Sequence, residues 1–394
     1  MRANAMSMHP SNLKDCHSID ALRELSRKRL PGPIFHFMDG GAEAEVSLAR
    51  NTAAFEDTRF VPQCLVDVTS IKTATRILGL ELEWPVFCGP TGVSRFFHPE
   101  GEFAVVRAAS KANTVFALST NSTASLEAVA AAGNCPKLFQ LYMFKDHGIG
   151  RELILRAKAA GYRALCLAVD VPVVGKRERD LRTGFGVPMR PSWDLLAGFA
   201  EHPFWLFGQI LKGRVAIPHL EPWAKSRSLV AHTRFIASQL DASATWQDVS
   251  EIISLWNGPV VLKGIMRVDD ARMAAAVGAA GVIVSNHGGR QLDGCAAPID
   301  VLPHIVGAVG DKLDVILDGG VRRGTHILKA LALGAKACSI GRPYLYGLAA
   351  GGEAGVSRAL EILRTEFVRA MQLVGCTDVN DARRIELIGH KSVK

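Results

Sequence analysis

A histidine and an arginine stand three positions apart in Ser285-Asn286-His287-Gly288-Gly289-Arg290-Gln291-Leu292-Asp293. The glycines between them let backbone approach a bound molecule closely. Histidine acts as a base near neutral pH, and arginine clamps a carboxylate through two parallel hydrogen bonds. The plainer reading of this segment is an ordered loop with a buried histidine and a surface arginine. Two further segments, Asp318–Gly324 (DGGVRRG) and Gly341-Arg342-Pro343, join glycine to arginine. Such residues seat a phosphate on backbone N–H groups and guanidinium; the alternative is two tight turns with solvated arginines. Lys263 ends an apolar run, where an ammonium calls for an anionic partner. Asp170, Lys176 and Arg177 follow another run, and Gln140-Leu141-Tyr142 and Gly89-Pro90-Thr91-Gly92 close two more. Together these groups supply a base, arginines, a lysine, an aspartate and a phosphate cradle. A phosphorylated cofactor and a small anionic substrate fit all of them.

Such loops need a scaffold that gathers them. Short β-rich runs occur at Pro85–Gly89, Thr114–Ser119, Leu138–Tyr142, Ala164–Asp170, Pro259–Lys263, Gly281–Ser285, Asp314–Asp318 and Ala337–Gly341. Between them lie helix-like segments: Glu102–Ala112, Leu126–Ala132, Arg151–Ala160, Asp269–Val277 and Thr325–Leu333. Glycines such as Gly161 and Gly334 sit where helix C-caps belong. Near-continuous apolar strands alternating with helices predict a parallel sheet covered on both faces, and eight of them predict an α/β fold of the closed (β/α)8 TIM-barrel type. The chain reads as a single domain over 1–394, with a helical cap over 1–60 and the barrel over 61–380. The cap holds a helix at Ile19–Arg29 and a break at Leu30-Pro31-Gly32-Pro33. A long insertion after the fourth strand, 178–244, reads as a lid or docking element on the catalytic face.

Composition narrows the function classes. Of 394 residues, 48% are hydrophobic and 21% charged, which excludes a disordered chain. Lys plus Arg exceed Asp plus Glu by 46 to 38, a formal net charge of +8, which favours anionic partners. The basic residues are spread thinly without interleaved aromatics, so nucleic acid is not expected. The 8 cysteines show no C-x-x-C spacing and read as reduced, buried thiols, with no metal site. The first twenty residues lack the apolar core of a signal peptide, and no stretch has the length of a membrane span. A cytoplasmic protein is expected.

The motifs, taken in order, resemble those of the FMN-dependent α-hydroxy acid oxidase and dehydrogenase family, which includes glycolate oxidase, L-lactate dehydrogenase and mandelate dehydrogenase. The likeness runs from Leu30 to Cys376. It rests on Ser285–Asp293, Asp318–Gly324, Lys329–Ala335 (KALALGA), His98–Glu102 (HPEGE), Gln140–Tyr142 and Gly341-Arg342-Pro343. The resemblance implies that FMN is the cofactor and a 2-hydroxy acid the substrate. It implies that His287 is the base, that Asp170 stabilises its imidazolium, that Tyr142 binds the substrate oxygen, and that Arg290 and Arg177 bind the carboxylate. It places Pro90, Thr91, Gly92, Ser119, Gln140 and Ser285 along the flavin and Lys263 at its N1 side. Asp318, Gly320, Arg322, Gly341 and Arg342 then hold the ribityl chain and phosphate. An ionised Asp170 should raise the pKa of His287. Hydride transfer from Cα and a carbanion route use the same residues.

Two positions depart from the family pattern. Phe37 stands where a tyrosine usually touches the substrate carboxylate, which removes a hydrogen bond worth roughly 1 kcal/mol or somewhat more. Harmless drift and altered specificity both account for it, and a non-standard substrate is the alternative reading. Ala168 replaces a residue that often bears a hydroxyl beside the flavin. Gly92 and His36–Gly41 look most like membrane-associated dehydrogenases, so a quinone or other carrier is favoured over oxygen as electron acceptor. The insertion supplies Trp193, Leu195, Leu196, Phe199, Phe204, Trp205, Leu206, Phe207, Ile210 and Leu211, then Lys212 and Arg214. That mixture suits peripheral contact with the inner face of a membrane, or a lid packed on its own barrel. The resemblance also implies a homotetramer. A flavin-binding barrel without enzymatic activity is the remaining alternative.

Overall fold

Val260–Leu262, Gly281–Val284 and Val315–Leu317 are apolar without alternation, as strands buried on both faces must be. In the computed structural model, which describes residues 10–185, 198–211, 213, 215–226 and 228–389, they belong to a closed barrel of eight parallel strands. These are β1 (Val86–Cys88), β2 (Phe116–Ser119), β3 (Lys137–Tyr142), β4 (Ala164–Ala168), β5 (Val260–Ile265), β6 (Gly281–Val284), β7 (Asp314–Asp318) and β8 (Ala337–Ile340). Each pairs with its neighbour in sequence, and β8 closes on β1 with Cys338 opposite Val86. Helices anticipated between the strands form at Gly101–Lys111, Leu126–Ala131, His147–Ala159, Val268–Ala276 and Gly324–Ala332.

The barrel interior is filled from within and from below. Phe87, Ala117, Leu138, Cys166, Val261, Ile283 and Ile316 pack with Ile77, Leu78, Leu80 and Leu82. The latter four belong to a hairpin, Thr75–Ile77 and Leu80–Leu82, that the sequence reading did not identify. Its turn is tied to the barrel by the Leu78 N–H, which donates to Asp314 Oδ2 at 2.6 Å. The hairpin therefore closes the bottom, and the first barrel strand starts only at Val86. Three barrel helices were also not named from the sequence, the first being Trp246–Trp256, which leads into β5. Pro298–Val309 begins with proline in its first turn, and Arg342–Val374 is broken by non-helical Gly351 and Gly352.

In the cap, Ser18 Oγ accepts from the Ala21 N–H at 3.1 Å and starts helix Ile19–Arg29. That helix buries Ile19, Leu22 and Leu25 and packs on Arg342–Val374. Pro31 marks the break, and Gly32–Asp39 follows, then Val46–Ala53.

The insertion contains helices Glu178–Thr183, Pro203–Leu211, Glu221–Ala224 and Leu229–Gln239. It is hooked to the loops after β1, β2 and β3. Trp205 Nε1 donates to Phe96 O at 2.8 Å, and Gln209 Nε2 donates to Arg95 O at 2.6 Å. His219 Nδ1 meets Thr120 O at 3.0 Å, and the Asp241 N–H donates to Met143 O at 3.1 Å. One face of Pro203–Leu211 thus docks on the barrel, while Phe207, Ile210 and Leu211 are each more than 60% exposed. Trp193, Leu195, Leu196, Lys212, Arg214 and the Phe204 side chain lie outside the described residues. Among the described residues no helix is long and apolar enough to cross a membrane. The cysteines are unpaired, but Cys64 is exposed and Cys295 half-buried, so not every thiol is a core residue.

Candidate active site

The C-terminal ends of β4, β5, β6 and β7 deliver one connected set of charges. His287 follows β6 in a left-handed conformation, φ 57°, rare for a residue with a side chain. Its Nδ1 lies 3.0 and 3.1 Å from the two oxygens of Asp170, which follows β4. With Nδ1–H donating to that carboxylate, Nε2 keeps its lone pair. Lys263 on β5 donates to Ser285 Oγ at 3.1 Å and stands 3.3 Å from Asp318 Oδ2 at the end of β7. Ser285 passes its own proton toward Asp318 at 2.7 Å and accepts from the His287 N–H at 3.1 Å.

Electrostatics assign resting charges. Burial pushes His287 below its ordinary value and outweighs the opposing pull of Asp170, while Lys263 adds to the lowering. This corrects the expectation of a raised His287: desolvation of the imidazolium exceeds the attraction of one carboxylate. The ring rests neutral, the form a base requires. Burial disfavours the Asp170 carboxylate, but His287 and Lys263 together hold it below the usual range. Lys263 is also desolvated, yet Asp318 and Asp170 hold its proton more firmly than in water.

Arginines form the opposite wall. Arg290 Nη1 donates to Phe37 O and Gly40 O, both at 2.8 Å, and its guanidinium lies 5.2 Å from the centre of the Phe37 ring. Phe37 itself meets Phe185 edge-on at 5.2 Å and Phe97 at 6.5 Å. Arg177 is partly buried, and its Nε has no hydrogen-bond partner among the described residues. Arg342 donates to Gly288 O at 2.9 Å and Gly40 O at 2.8 Å, and its Nε is likewise unpartnered. Burial lowers all three from their ordinary values. Arg322 donates to Val321 O at 2.8 Å beside the Tyr346 ring. Partly buried guanidiniums such as Arg290 and Arg342, held only by neutral carbonyls, are suited to anions.

One cavity of about 240 Å³ joins these groups. Phe37, Pro90, Thr91, Gly92, Tyr142, Arg177, Lys263, His287, Arg290, Asp318, Gly320, Arg322, Gly341 and Arg342 all line it. Asp170, Ser119, Gln140 and Ser285 stand behind the wall. Ser119 Oγ donates to Gln140 Oε1 at 3.1 Å, and Gln140 Nε2 is buried without a partner among the described residues. The Tyr142 hydroxyl bonds to no described residue, and burial raises its pKa. Ala168 pairs in register with Lys263 and Tyr142 on its two sides. Several lining residues were not foreseen. Ser339 on β8 and Asn121 after β2 each present a buried oxygen without a partner among the described residues. Val171, Val174, Ile217, Ile236 and Leu240 supply an apolar wall, three of them from the insertion. Nothing local in the insertion's sequence marks those three, since tertiary docking puts them there.

Comparison with known proteins follows the same geometry. The family model for FMN-dependent dehydrogenases matches residues 26–388. An L-lactate oxidase of Nostoc sp. is 45% identical over 363 residues, 91% of this chain and 94% of that protein. A putative L-lactate dehydrogenase of Mycobacterium tuberculosis is 41% identical over 361 residues, 91% of this chain and 86% of its own length. Among solved structures, a monotopic membrane protein, (S)-mandelate dehydrogenase, superposes with TM-score 0.90 at 37% identity, covering 94% of this chain and 99% of that one.

Proposed function

The chain belongs to the FMN-dependent dehydrogenase family, and we propose that it oxidises a 2-hydroxy acid bearing a bulky apolar side chain and passes the electrons to a membrane-borne carrier such as a quinone. Oxidation of 2-hydroxy acids with FMN is the chemistry of the group as a whole. One observation carries the assignment of roles: a neutral His287 backed by Asp170 lines the same cavity as Arg177 and Arg290.

The residues present fit the cofactor. Gln140 Nε2, Ser339 Oγ and Arg342 Nε are buried polar atoms without partners among the described residues, as suits a polar ring system and phosphate. At Gly320, φ 78°, a Cβ would run into the backbone of Asn51, so the loop after β7 lies against the cap where no side chain fits, and its own backbone faces the cavity. Arg342, Arg322 and the N–H groups around Gly320 and Gly341 would hold the phosphate, and Gln140, Ser119, Ser339 and Lys263 the ring. When bound, FMN supplies the two-electron acceptor.

Arg177 and Arg290 bind the substrate carboxylate and fix Cα. The free Tyr142 hydroxyl donates to the α-oxygen. His287 Nε2 takes the proton from the substrate, and the Asp170 carboxylate stabilises the resulting imidazolium. Lys263 keeps a positive charge beside the ring site through its contact with Asp318. Phe37, Ile217, Ile236, Leu240 and Val174 favour an aromatic or branched side chain over glycolate. This is also where the loss of a tyrosine hydroxyl at Phe37 costs least, because apolar burial replaces the missing hydrogen bond.

The exposed apolar face of Pro203–Leu211, together with the likeness to a monotopic dehydrogenase, supports docking on the inner surface of a membrane, where a quinone is at hand. A homotetramer belongs to the same reading and is checked by sedimentation velocity. Anaerobic mixing with lactate, glycolate, 2-hydroxyisovalerate and mandelate tests the reaction. Bleaching of the flavin is expected, fastest with the bulky acids. A protein that none of them bleaches is not this enzyme. Faster reoxidation by oxygen than by a quinone would refute the assigned acceptor.

A further inference from the structure

Asp180 lies in the first turn of Glu178–Thr183 and is 3% exposed. No described residue donates a hydrogen bond to its carboxylate. Its nearest cation among the described residues is Arg177, Nη1 to Oδ2 3.9 Å, which is charge contact without a hydrogen bond. Arg290, from the loop after β6, also acts on it favourably, as does Arg179 on its own helix, while Glu45 repels it. Arg179 is committed elsewhere, to Asp39 at 3.1 Å and to Glu45. Helix Gly32–Asp39, packed on this one, brings Asp39 and His36, which face Arg179 and Glu45. A buried carboxylate with no donor among the described residues is uncommon and needs a physical reason.

We propose that Asp180 is the resting counter-ion of the Arg177–Arg290 clamp and takes up a proton when the substrate carboxylate binds there. The inference rests on the reading of those arginines as the carboxylate clamp. Without substrate, two partly buried guanidiniums need a negative charge, and among the described residues Asp180 is the carboxylate that acts favourably on both. Its 3.9 Å separation fixes Arg177 by charge while leaving the guanidinium N–H groups free for a ligand. When a second carboxylate arrives, the two anions share one dry site, and like charges at such range favour protonation of one. Proton balance is simple. The anion and one proton enter together, and Asp180 becomes a neutral carboxylic acid. Asp180 is thus a positioning residue, acting on substrate through Arg177 and Arg290. Burial supports this, holding Asp180 up at about 6 before any ligand is present.

The sign follows. Below about pH 6 Asp180 is already protonated, and anion affinity is flat with pH. Above it, each anion bound must bring a proton, so affinity falls by up to about tenfold per pH unit. The test titrates FMN-loaded enzyme with phenylglyoxylate and with oxalate, following flavin absorbance from pH 6 to 8.5, where both are fully ionised. The wild type should bind more weakly as pH rises, by at least tenfold across the range. Asp180→Asn should be flat within about twofold. His287→Gln should keep the wild-type slope, which separates Asp180 from the other titrating group in the cavity. A flat wild type, or an Asp180→Asn protein that keeps the slope, overturns the proposal. Should Asp180→Asn fail to fold, calorimetry of wild type and His287→Gln in two buffers of different ionisation enthalpy decides. Uptake of half a proton or more per anion at pH 7 in both proteins supports it, and none overturns it. Flavin bleaching by hydroxy acids without pH-linked binding leaves the function standing and removes this inference. Absence of both bleaching and anion binding removes the function itself.

Discussion

Asp170→Asn keeps the shape beside His287 and removes only the charge. In the structure Asp170 reaches Nδ1 at 3.0 and 3.1 Å and is screened from the cavity by the imidazole. For full charges at that separation, an effective dielectric constant near 20 gives roughly 5 kcal/mol. The imidazolium charge is only partly developed in the transition state, and asparagine can still accept a hydrogen bond. About half of that energy is then lost, which corresponds to roughly 100-fold in rate. The assay is anaerobic stopped-flow bleaching at saturating hydroxy acid, with substrate affinity read from the concentration dependence. The bleaching rate should fall about 100-fold while affinity changes little, because Asp170 does not line the cavity. The pH dependence should move as well. His287 is already below its ordinary value through burial, and Asp170 is the largest influence raising it. Without Asp170 the pKa drops further, so the acid limb of the rate profile, where His287 becomes protonated and inactive, should shift to lower pH. A loss under about fivefold, or an acid limb that stays in place, would refute the role given to Asp170.

Three other perturbations test separate parts of the structure. Phe37→Tyr restores a hydroxyl near Arg290, and kcat/KM for lactate and glycolate should rise by about tenfold with little gain for mandelate; equal effects on all three would remove Phe37 from specificity. Gly320→Ala places a Cβ against Asn51 O at a positive φ, so flavin affinity measured by fluorescence quenching should weaken at least about tenfold, and an unchanged affinity would show that this loop does not form the cradle. Charging the exposed helix face with Phe207→Asp and Ile210→Asp should lower vesicle binding by at least about tenfold in flotation assays, with bleaching by soluble hydroxy acids unaltered. Retained flotation would mean that this face is not the membrane contact.

What the sequence made legible, and what it hid, follows from how each residue acquires its environment. Strand ends such as Asp318-Gly319-Gly320 and Ser285-Asn286-His287 announce themselves, because a barrel puts every strand C-terminus at one mouth and each short motif carries its own chemistry. The hairpin Thr75–Leu82 does alternate apolar and polar residues, yet three-residue strands are too short to stand out, and only the barrel floor above them explains their burial. Ile217, Ile236 and Leu240 come to line the cavity through contacts far away in sequence, at Phe96, Thr120 and Met143. Asp180 is the sharpest case. Within Lys176-Arg177-Glu178-Arg179-Asp180 it reads as one more charge on a solvated helix, where flanking arginines would screen it in water. Packing against Gly32–Asp39 removes the water, draws Arg179 away to Asp39 and Glu45, and leaves Asp180 to answer to Arg177 and Arg290. Charge partnership in a dry site is therefore a property of the assembled fold, while the chemistry that a histidine or a glycine–arginine loop can offer is already local. The same burial that hides Asp180 from a sequence reading also reverses the sign expected for His287. In both residues desolvation, which no motif encodes, decides the protonation state that binding and proton transfer depend on.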